Sequence, residues 1–406
     1  MKLLGITAEY DPFHNGHAYH IREAKLRSGC DSLVVLMSGD FTQRGTPAIM
    51  DKYVRAEAAL RNGADIVIEL PVYSATASAE GFAEGAMRAF SDLGVDCISY
   101  GVECGEIPEE TVAQIREAAS FFAEEPEEFR TLLKEALAEG MSYPVARHSA
   151  YRKLTGEDGA FLSSPNNILA IEYEKAMLRL KASFTSVPIA RAGKGYHDPS
   201  PSELASATAI RKLIIEDSSL SGTVPMNLLS LYEEPAKHPV TADDLSGALF
   251  SALHGRSWQE LAEFSDVSAD TAKRLTEASK KPFTWTSLTE DLRERSHTLT
   301  HVNRALCHIL LNITKDDEQR YRAAAHVPYL HVLGIRKEAA PLLGQLADRS
   351  PAPLLVRLGK DMKTLPEDAS RLFDRELAAT ALFSHILYGK GVATAEERVR
   401  KFMIVS

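Results

Sequence analysis

Cysteine is scarce. Only Cys30, Cys97, Cys104 and Cys307 occur in 406 residues, with neither the paired spacing of a zinc site nor the density of a disulfide-stapled secreted domain. Long apolar runs are missing as well: nothing approaches the roughly 18 residues that a membrane-spanning helix needs. The N-terminus MKLLGITAEYDPFHNGH meets charge at Glu9 before a signal-peptide core can form. Nor is there an excess of positive charge, since 46 Lys+Arg stand against 56 Asp+Glu, a net of −10. A protein coated in nucleic acid is usually basic overall, so an RNA partner would have to be met by a local patch. The deficit is confined to residues 1–220, with 22 basic against 32 acidic side chains, while residues 221–406 balance at 24 against 24. What the chain does hold is 45% hydrophobic and 25% charged residues, enough for a sizeable core in two or three domains. Together these features predict a soluble protein of the reducing cytoplasm.

Short β-rich runs alternate with helical stretches through the first half. Leu3–Ala8 reads as a strand, His17–Ser28 as a helix and Ser32–Ser38 as a second strand. A helix at Asp51–Arg61, a strand at Asp65–Leu70, a helix at Ala79–Phe90 and a strand ending at Gly101 continue the pattern. Buried parallel strands look like this. An acidic, helical insertion is predicted over about 108–160, a helix start at Pro165, a late strand at Phe184–Arg191, and a helix at SATAIRKLIIE. Beyond about Ser218 the β-branched runs vanish and helices dominate. The expected fold is therefore α/β: a Rossmann-like domain with a parallel sheet over 1–220, then a mainly α-helical domain over 221–406.

The sharpest chemical signal is Asp11-Pro12-Phe13-His14-Asn15-Gly16-His17, between the first strand and the first helix. At the carboxyl end of a parallel strand, a helix N-terminus presents free N–H groups and a dipole that favour phosphate. Two imidazoles three residues apart can reach one triphosphate and donate hydrogen bonds to it as charge builds, and Gly16 admits a flat base or sugar close to the backbone. The bland reading is a satisfied turn with two surface histidines. Ser38–Gly45 also follows a strand, so Gln43 and Arg44 face the same crevice or form an ordinary loop. His297, His301 and His308 fall at roughly helical spacing, but no Cys, Asp or Glu pattern completes a metal site, and none is expected. None of the cysteines has a local histidine that would make it a nucleophile. Lys194, Tyr196 and His197 stand in a Gly-containing loop that either touches phosphate or RNA or is simply solvated.

HNGH after the first strand resembles the H-x-G-H signature of the nucleotidylyltransferase superfamily, shared with class I aminoacyl-tRNA synthetases and pantetheine-phosphate adenylyltransferase. Ala205-Ser206-Ala207-Thr208-Ala209-Ile210-Arg211 is similar to its second signature, I-S-S-T-x-I-R, with Ser206, Thr208 and Arg211 matching and Ala205 and Ala207 departing. Read alone, Ser206 and Thr208 would be helix caps. AEYDPFHNGH, VLMSGDFTQRG, DIVIELP, SYGVECG, SPNNILAIEY and ARAGKGYHD together resemble the tRNA(Met) cytidine acetate ligase family through most of residues 1–215, with FTWTSL a weaker likeness further on.

The resemblance implies an enzyme that joins acetate to ATP as acetyl-adenylate and passes the acetyl group to the exocyclic amine of the wobble cytidine in elongator tRNA(Met). It implies that His14 and His17 are catalytic. By motif, Thr7, Ala8, Glu9, Tyr10, Asp11, Pro12, Phe13, His14, Asn15, Gly16, His17, Ala18, Tyr19 and His20 line the ATP. Gly101 approaches the nucleotide, Asn166 or Asn167 with Arg191 completes its pocket, and Ser206, Thr208 and Arg211 hold the β- and γ-phosphates. Mg²⁺ would accompany the phosphates. The chemistry needs no covalent enzyme intermediate: acetate attacks the α-phosphate, pyrophosphate leaves, and the mixed anhydride acylates the amine. Clustered basic residues in the second half, Lys280-Lys281, Arg293, Arg295, Arg304, Arg320, Arg322, Arg336-Lys337, Arg398, Arg400 and Lys401, are candidates for the tRNA body, though each singly reads as a solvated helix face. The alternative is a small-molecule adenylyltransferase that acts without RNA.

Overall fold

The computed structural model describes residues 2–104, 108–157, 159–191, 205–293 and 298–406. Five parallel strands build the first half: β1 (Leu3–Ala8), β2 (Ser32–Ser38), β3 (Ile66–Leu70), β4 (Cys97–Val102) and β5 (Thr185–Ala190). Their order across the sheet is β5-β4-β1-β2-β3. The chain therefore moves outward one way through β2 and β3, then returns past β1 to lay down β4 and β5. This reversal opens a crevice between β1 and β4 at their carboxyl ends, the place where doubly wound sheets bind ligands. β2 shows why these strands form. In SLVVLMS, Val34 and Leu36 face the helices Ala79–Leu93 and Pro165–Leu180, while Leu33, Val35 and Met37 face the helices α1 (Asn15–Ser28) and α2 (Lys52–Arg61). All five are fully buried, so both faces of the sheet are apolar and the run is continuous rather than alternating.

The 108–160 insertion is three helices, Pro108–Glu124, Glu127–Ala138 and Tyr143–Thr155, roofing one side of the crevice. Helix boundaries differ slightly from the expected ones where capping chemistry acts: α1 begins at Asn15 instead of His17 because His14 is its N-cap, and Asp51 caps α2 from outside it.

The larger difference lies in the second half, where strands were expected to end near Ser218. β6 (Leu330–Arg336), β7 (Leu354–Leu355) and β8 (Met403–Val405) all lie there, and all join the same sheet. β6 runs antiparallel to β3, pairing Ile66 with Ile335 and Glu69 with His331. Its sequence, LHVLGIR, hides the strand behind a histidine and a glycine, and β7 and β8 are too short to show periodicity. Helices of the second half pack as a separate core around Trp285, Leu306 and Phe373, which also takes in Phe41 from the loop after β2 and Val72 and Tyr73 from the short helix Val72–Ala75 after β3. No helix among the described residues is long and apolar enough to cross a membrane.

Candidate active site

A cavity of about 1050 Å³ opens at the β1/β4 switch point. Its floor is the end of β1 and the start of α1, where the two histidines are locked by a reciprocal cap. The His14 ring nitrogen Nδ1 accepts the Gly16 N–H at 3.1 Å, and His17 Nδ1 accepts the His14 N–H at 3.2 Å. In a neutral imidazole whose Nδ1 accepts, the proton is on Nε2. Both rings are therefore set as Nε2–H donors, stacked 3.7 Å apart between centroids. Both stay neutral: burial, together with the Arg191 and Arg211 guanidinium groups, brings His14 down to about 4, and burial, then His14 and Arg191, holds His17 well below the ordinary histidine range. His20, brought down to about 4 by burial and Arg191, meets the Ser99 hydroxyl at 2.9 Å. Gly16 lines the cavity, and a Cβ there would lie 2.9 Å from His14 Cε1, so the glycine also makes room for the His14 ring.

Cationic groups converge on the same floor. Arg211 donates to the Asp11 carbonyl at 2.8 Å and to Thr208 Oγ1 at 3.0 Å, which ties the second signature to the first across 200 residues. Arg191 donates to Asn166 Oδ1 at 2.9 Å. Gly101 lies beside it: a Cβ at this position would sit only 3.2 Å from Arg191 Cγ, so a side chain there would displace the arginine. Ser206 caps the helix Ala207–Ile215 by accepting the Ala209 N–H at 3.3 Å, so the capping use of this residue is realised at the cavity wall.

Of the candidate residues, Thr7, Ala8, Glu9, Tyr10, Asp11, His14, Gly16, His17, Tyr19, His20, Gly101, Asn166, Arg191, Ser206, Thr208 and Arg211 line the cavity. Pro12, Phe13, Asn15, Ala18 and Asn167 are not among its lining residues. Phe13 is buried edge-on against Tyr10, and Asn15 Nδ2 donates to the Gly222 carbonyl. The two asparagines differ in their bonds. Asn167, 1% exposed, grips the Glu103 backbone through both amide atoms at 2.8 and 2.9 Å, whereas Asn166 orients Arg191. Asn166→Ala is therefore expected to weaken ATP binding roughly tenfold with little change in melting temperature. Asn167→Ala should cost about 1–3 kcal/mol of stability by stranding two buried backbone groups. Titration calorimetry with ATP and thermal denaturation of both variants check the split.

A family model described as HIGH Nucleotidyl Transferase matches residues 1–398. A tRNA(Met) cytidine acetate ligase of Acetivibrio thermocellus is 38% identical over 397 residues, 94% of each chain. One of Halothermothrix orenii is 34% identical over 401 residues, covering 95% of this chain and 94% of that one. The chain belongs to the tRNA(Met) cytidine acetate ligase family. Crystal structures of Thermotoga maritima TmcAL align over 100% of both chains, with a TM-score of 0.88 at 25% identity for the form bound with alpha-thio ATP and 0.90 at 26% for an apo form. The ligase-family likeness thus extends through the helical second half as well as the sheet.

Several residues reach the site without any motif to mark them. Thr298, Thr300, His301 and Arg304, from the second half, line the cavity. The contact that brings them there is Gly45, at φ +73°, whose missing Cβ would fall 2.3 Å from the Arg304 backbone nitrogen. Arg55, fully buried, donates to the carbonyls of Glu9 at 2.7 Å and Ser38 at 3.1 Å, bracing the ends of β1 and β2. Gln43 and Arg44 also line the cavity. His301 and His308 join no metal-ligand group among the described residues. His308 is buried between the Ser265 carbonyl and Thr76 Oγ1, and His297 lies outside the described residues, as do Lys194, Tyr196, His197 and Arg295. Among the described residues the one group with metal-ligand spacing is Glu69, His331 and Glu397, and the Lys52 ammonium fills it at 2.9 Å from Glu69 and 2.8 Å from Glu397. Around the cavity itself no protein cage for a divalent ion is found among the described residues.

Proposed function

We infer that the protein is an ATP-dependent ligase that activates acetate as acetyl-adenylate and transfers the acetyl group to the exocyclic amine of the wobble cytidine of elongator tRNA(Met). The observation that carries this reading is the pairing of end-to-end likeness to tRNA(Met) cytidine acetate ligases with a switch-point cavity lined by two neutral histidines whose Nδ1 atoms are engaged by backbone N–H groups, leaving each ring an Nε2–H donor. Acetate carries no leaving group better than oxide, so its carboxylate first attacks the α-phosphate of ATP and expels pyrophosphate. His14 and His17 stabilise the charge that grows on the α-phosphate, and Arg191 and Arg211 offset the charge on the departing phosphates. Mg²⁺, when present, would arrive on the nucleotide, held by phosphate oxygens, and would neutralise part of the triphosphate charge. Transfer then requires the anticodon base to be drawn out of its stack and into the cavity. The helical part of residues 221–406 reaches the cavity rim through His301 and Arg304, a position suited to holding the tRNA body. Not every basic side chain there is available: Arg336 pairs with Asp65, and Arg304 Nε is held by Asp266 at 2.8 Å.

The test is incubation with ATP, Mg²⁺, isotope-labelled acetate and total tRNA, followed by mass spectrometry of the digested nucleosides. Labelled acetylcytidine is the expected product. Acetate-dependent pyrophosphate release without label in RNA would leave the adenylating site and remove the acceptor.

A further inference from the structure

The transfer half-reaction needs a proton acceptor. As the cytidine amine attacks the acyl carbon, its nitrogen becomes strongly acidic, and neither His14 nor His17 can take that proton while Nδ1 of each is occupied by a backbone N–H and Nε2 already carries hydrogen. One carboxylate in the cavity is placed differently from the rest. Asp11 is engaged on both oxygens, by the Ile49 N–H at 2.7 Å and by Arg211 at 3.3 Å. Glu103 is consumed by Ser164 and Asn166, Glu172 by Arg147 and Lys175, and Glu80 is neutralised by the Lys175 and Arg179 cations. Glu9, at the carboxyl end of β1, accepts the Gln43 N–H on Oε1 at 2.8 Å, while Oε2 accepts no hydrogen bond among the described residues. Its backbone is fixed from below by Arg55 at 2.7 Å.

We propose that Glu9 is the general base of acetyl transfer, its Oε2 taking the proton from the attacking cytidine amine. This rests on the ligase reading given above. The step balances: the amine nitrogen forms a bond to the acyl carbon, its proton passes to Glu9, the carbonyl re-forms, and the bond from the acyl carbon to the phosphate oxygen breaks to release AMP. The groups facing Glu9 suit the role. Burial, then the neighbouring Asp11 carboxylate, pushes its carboxyl above the ordinary range; Arg44, the Gln43 N–H and Arg211 pull it back, and the Tyr173 hydroxyl, itself kept protonated by burial, stands close by. A carboxylate made more basic in this way is, in its ionised form, a stronger proton acceptor than an exposed one.

Glu9→Gln tests this, because the amide oxygen still accepts the Gln43 N–H and the loop keeps its anchor. Because Glu9 also lines the ATP cavity, acetate-dependent ATP–pyrophosphate exchange by the same variant is the reference, and single-turnover acetyl transfer to tRNA is expected to slow about 10²–10⁴-fold more than exchange does. The wild-type transfer rate should fall on the acid side as the carboxylate protonates, and that limb should be absent from the residual rate of the variant. Transfer at the wild-type rate in Glu9→Gln overturns the proposal. So does loss of pyrophosphate exchange along with transfer, which would assign the carboxylate to the nucleotide half of the reaction. Should Glu9→Gln fold poorly, Glu9→Asp supplied with preformed acetyl-adenylate gives the same comparison: slowed transfer supports the role, an unchanged rate overturns it. A wild-type enzyme that acetylates no tRNA removes the underlying ligase reading and this inference with it, and is told apart by needing no variant.

Discussion

His14→Asn and His17→Gln are each expected to lower acetate-dependent pyrophosphate release by about 10²–10³-fold while leaving the fold intact, the loss that follows removal of one preorganised donor to a developing charge. The choice of replacement matters because each histidine does two things. Asn at position 14 is as good an N-cap as α1 can have, so the Gly16 N–H keeps its acceptor; Gln at position 17 preserves the reciprocal cap on the His14 N–H. Neither side chain puts a donor where Nε2 stands. His14→Ala, in contrast, loses the cap as well and should cost a further ~0.5–2 kcal/mol of stability. The pH dependence follows with its sign. His14 titrates near 4 in the folded chain against 6.5 when exposed, so the stability it contributes is present above about 6.5 and is lost as pH falls through about 4. Adenylation should accordingly show no limb near the ordinary histidine range, since both rings are neutral donors throughout it. Exchange rates and chemical denaturation across pH check both statements. A variant that exchanges pyrophosphate at the wild-type rate would separate the histidine pair from catalysis.

The first half of this chain was readable because two local rules agree there. Aliphatic runs such as Ser32–Ser38 and Ile66–Leu70 are buried on both faces, and each is followed by a helix with an obvious start. The HNGH motif was readable for a similar reason: it carries its own cap, so residue type and backbone geometry are fixed within four residues. What stayed hidden depends on contacts between distant segments. Arg55 looks like one more polar residue of a helix, and only the folded chain reveals that it braces the ends of β1 and β2. Arg304 reads as a basic residue on a helix face, but it is pulled inward by Asp266 and by the close approach of Gly45. β6 carries too little alternation to be seen, and its place is set by pairing with β3 across more than 260 residues. The proton on Nε2 of His14 and His17 was equally out of reach of composition, since it depends on which backbone N–H each Nδ1 accepts.

Lys52→Met is expected to destabilise the protein by about 3–5 kcal/mol, measured as a drop in unfolding free energy by chemical denaturation. Lys52 is 1% exposed and its ammonium bonds both Glu69 oxygens at 2.9 Å, Glu397 at 2.8 Å and Thr380 Oγ1 at 2.8 Å. Glu69 in turn meets His331 Nδ1 at 2.7 Å, and Glu397 accepts from the Tyr53 hydroxyl at 2.7 Å. One cation from α2 thereby joins β3, β6, the helix Glu367–Gly389 and the chain just before β8, so the ion network fastens the second half to the sheet. Methionine fills the volume but leaves two carboxylates buried with no cation, and the loss comes mainly from that stranding. Lys52→Met combined with Glu397→Gln should accordingly be less destabilised than the sum of the two single variants, because the second change removes one of the charges the first exposes. Lys52, with His331, holds Glu69 down to about 2, so its contribution to wild-type stability is present above the usual glutamate value of 4.5 and is lost only as pH falls through about 2. The same lysine reaches the active site indirectly. Its backbone N–H donates to Asp40 at 3.1 Å, and a Cβ on Gly39 would strike Glu69 Oε1, so the loop that carries Gln43 and Arg44 into the cavity is seated directly on this cluster. A Lys52 variant that stays folded should therefore lose acetyl transfer through a displaced loop, while one as stable and as active as the wild type would show that the buried network does neither job.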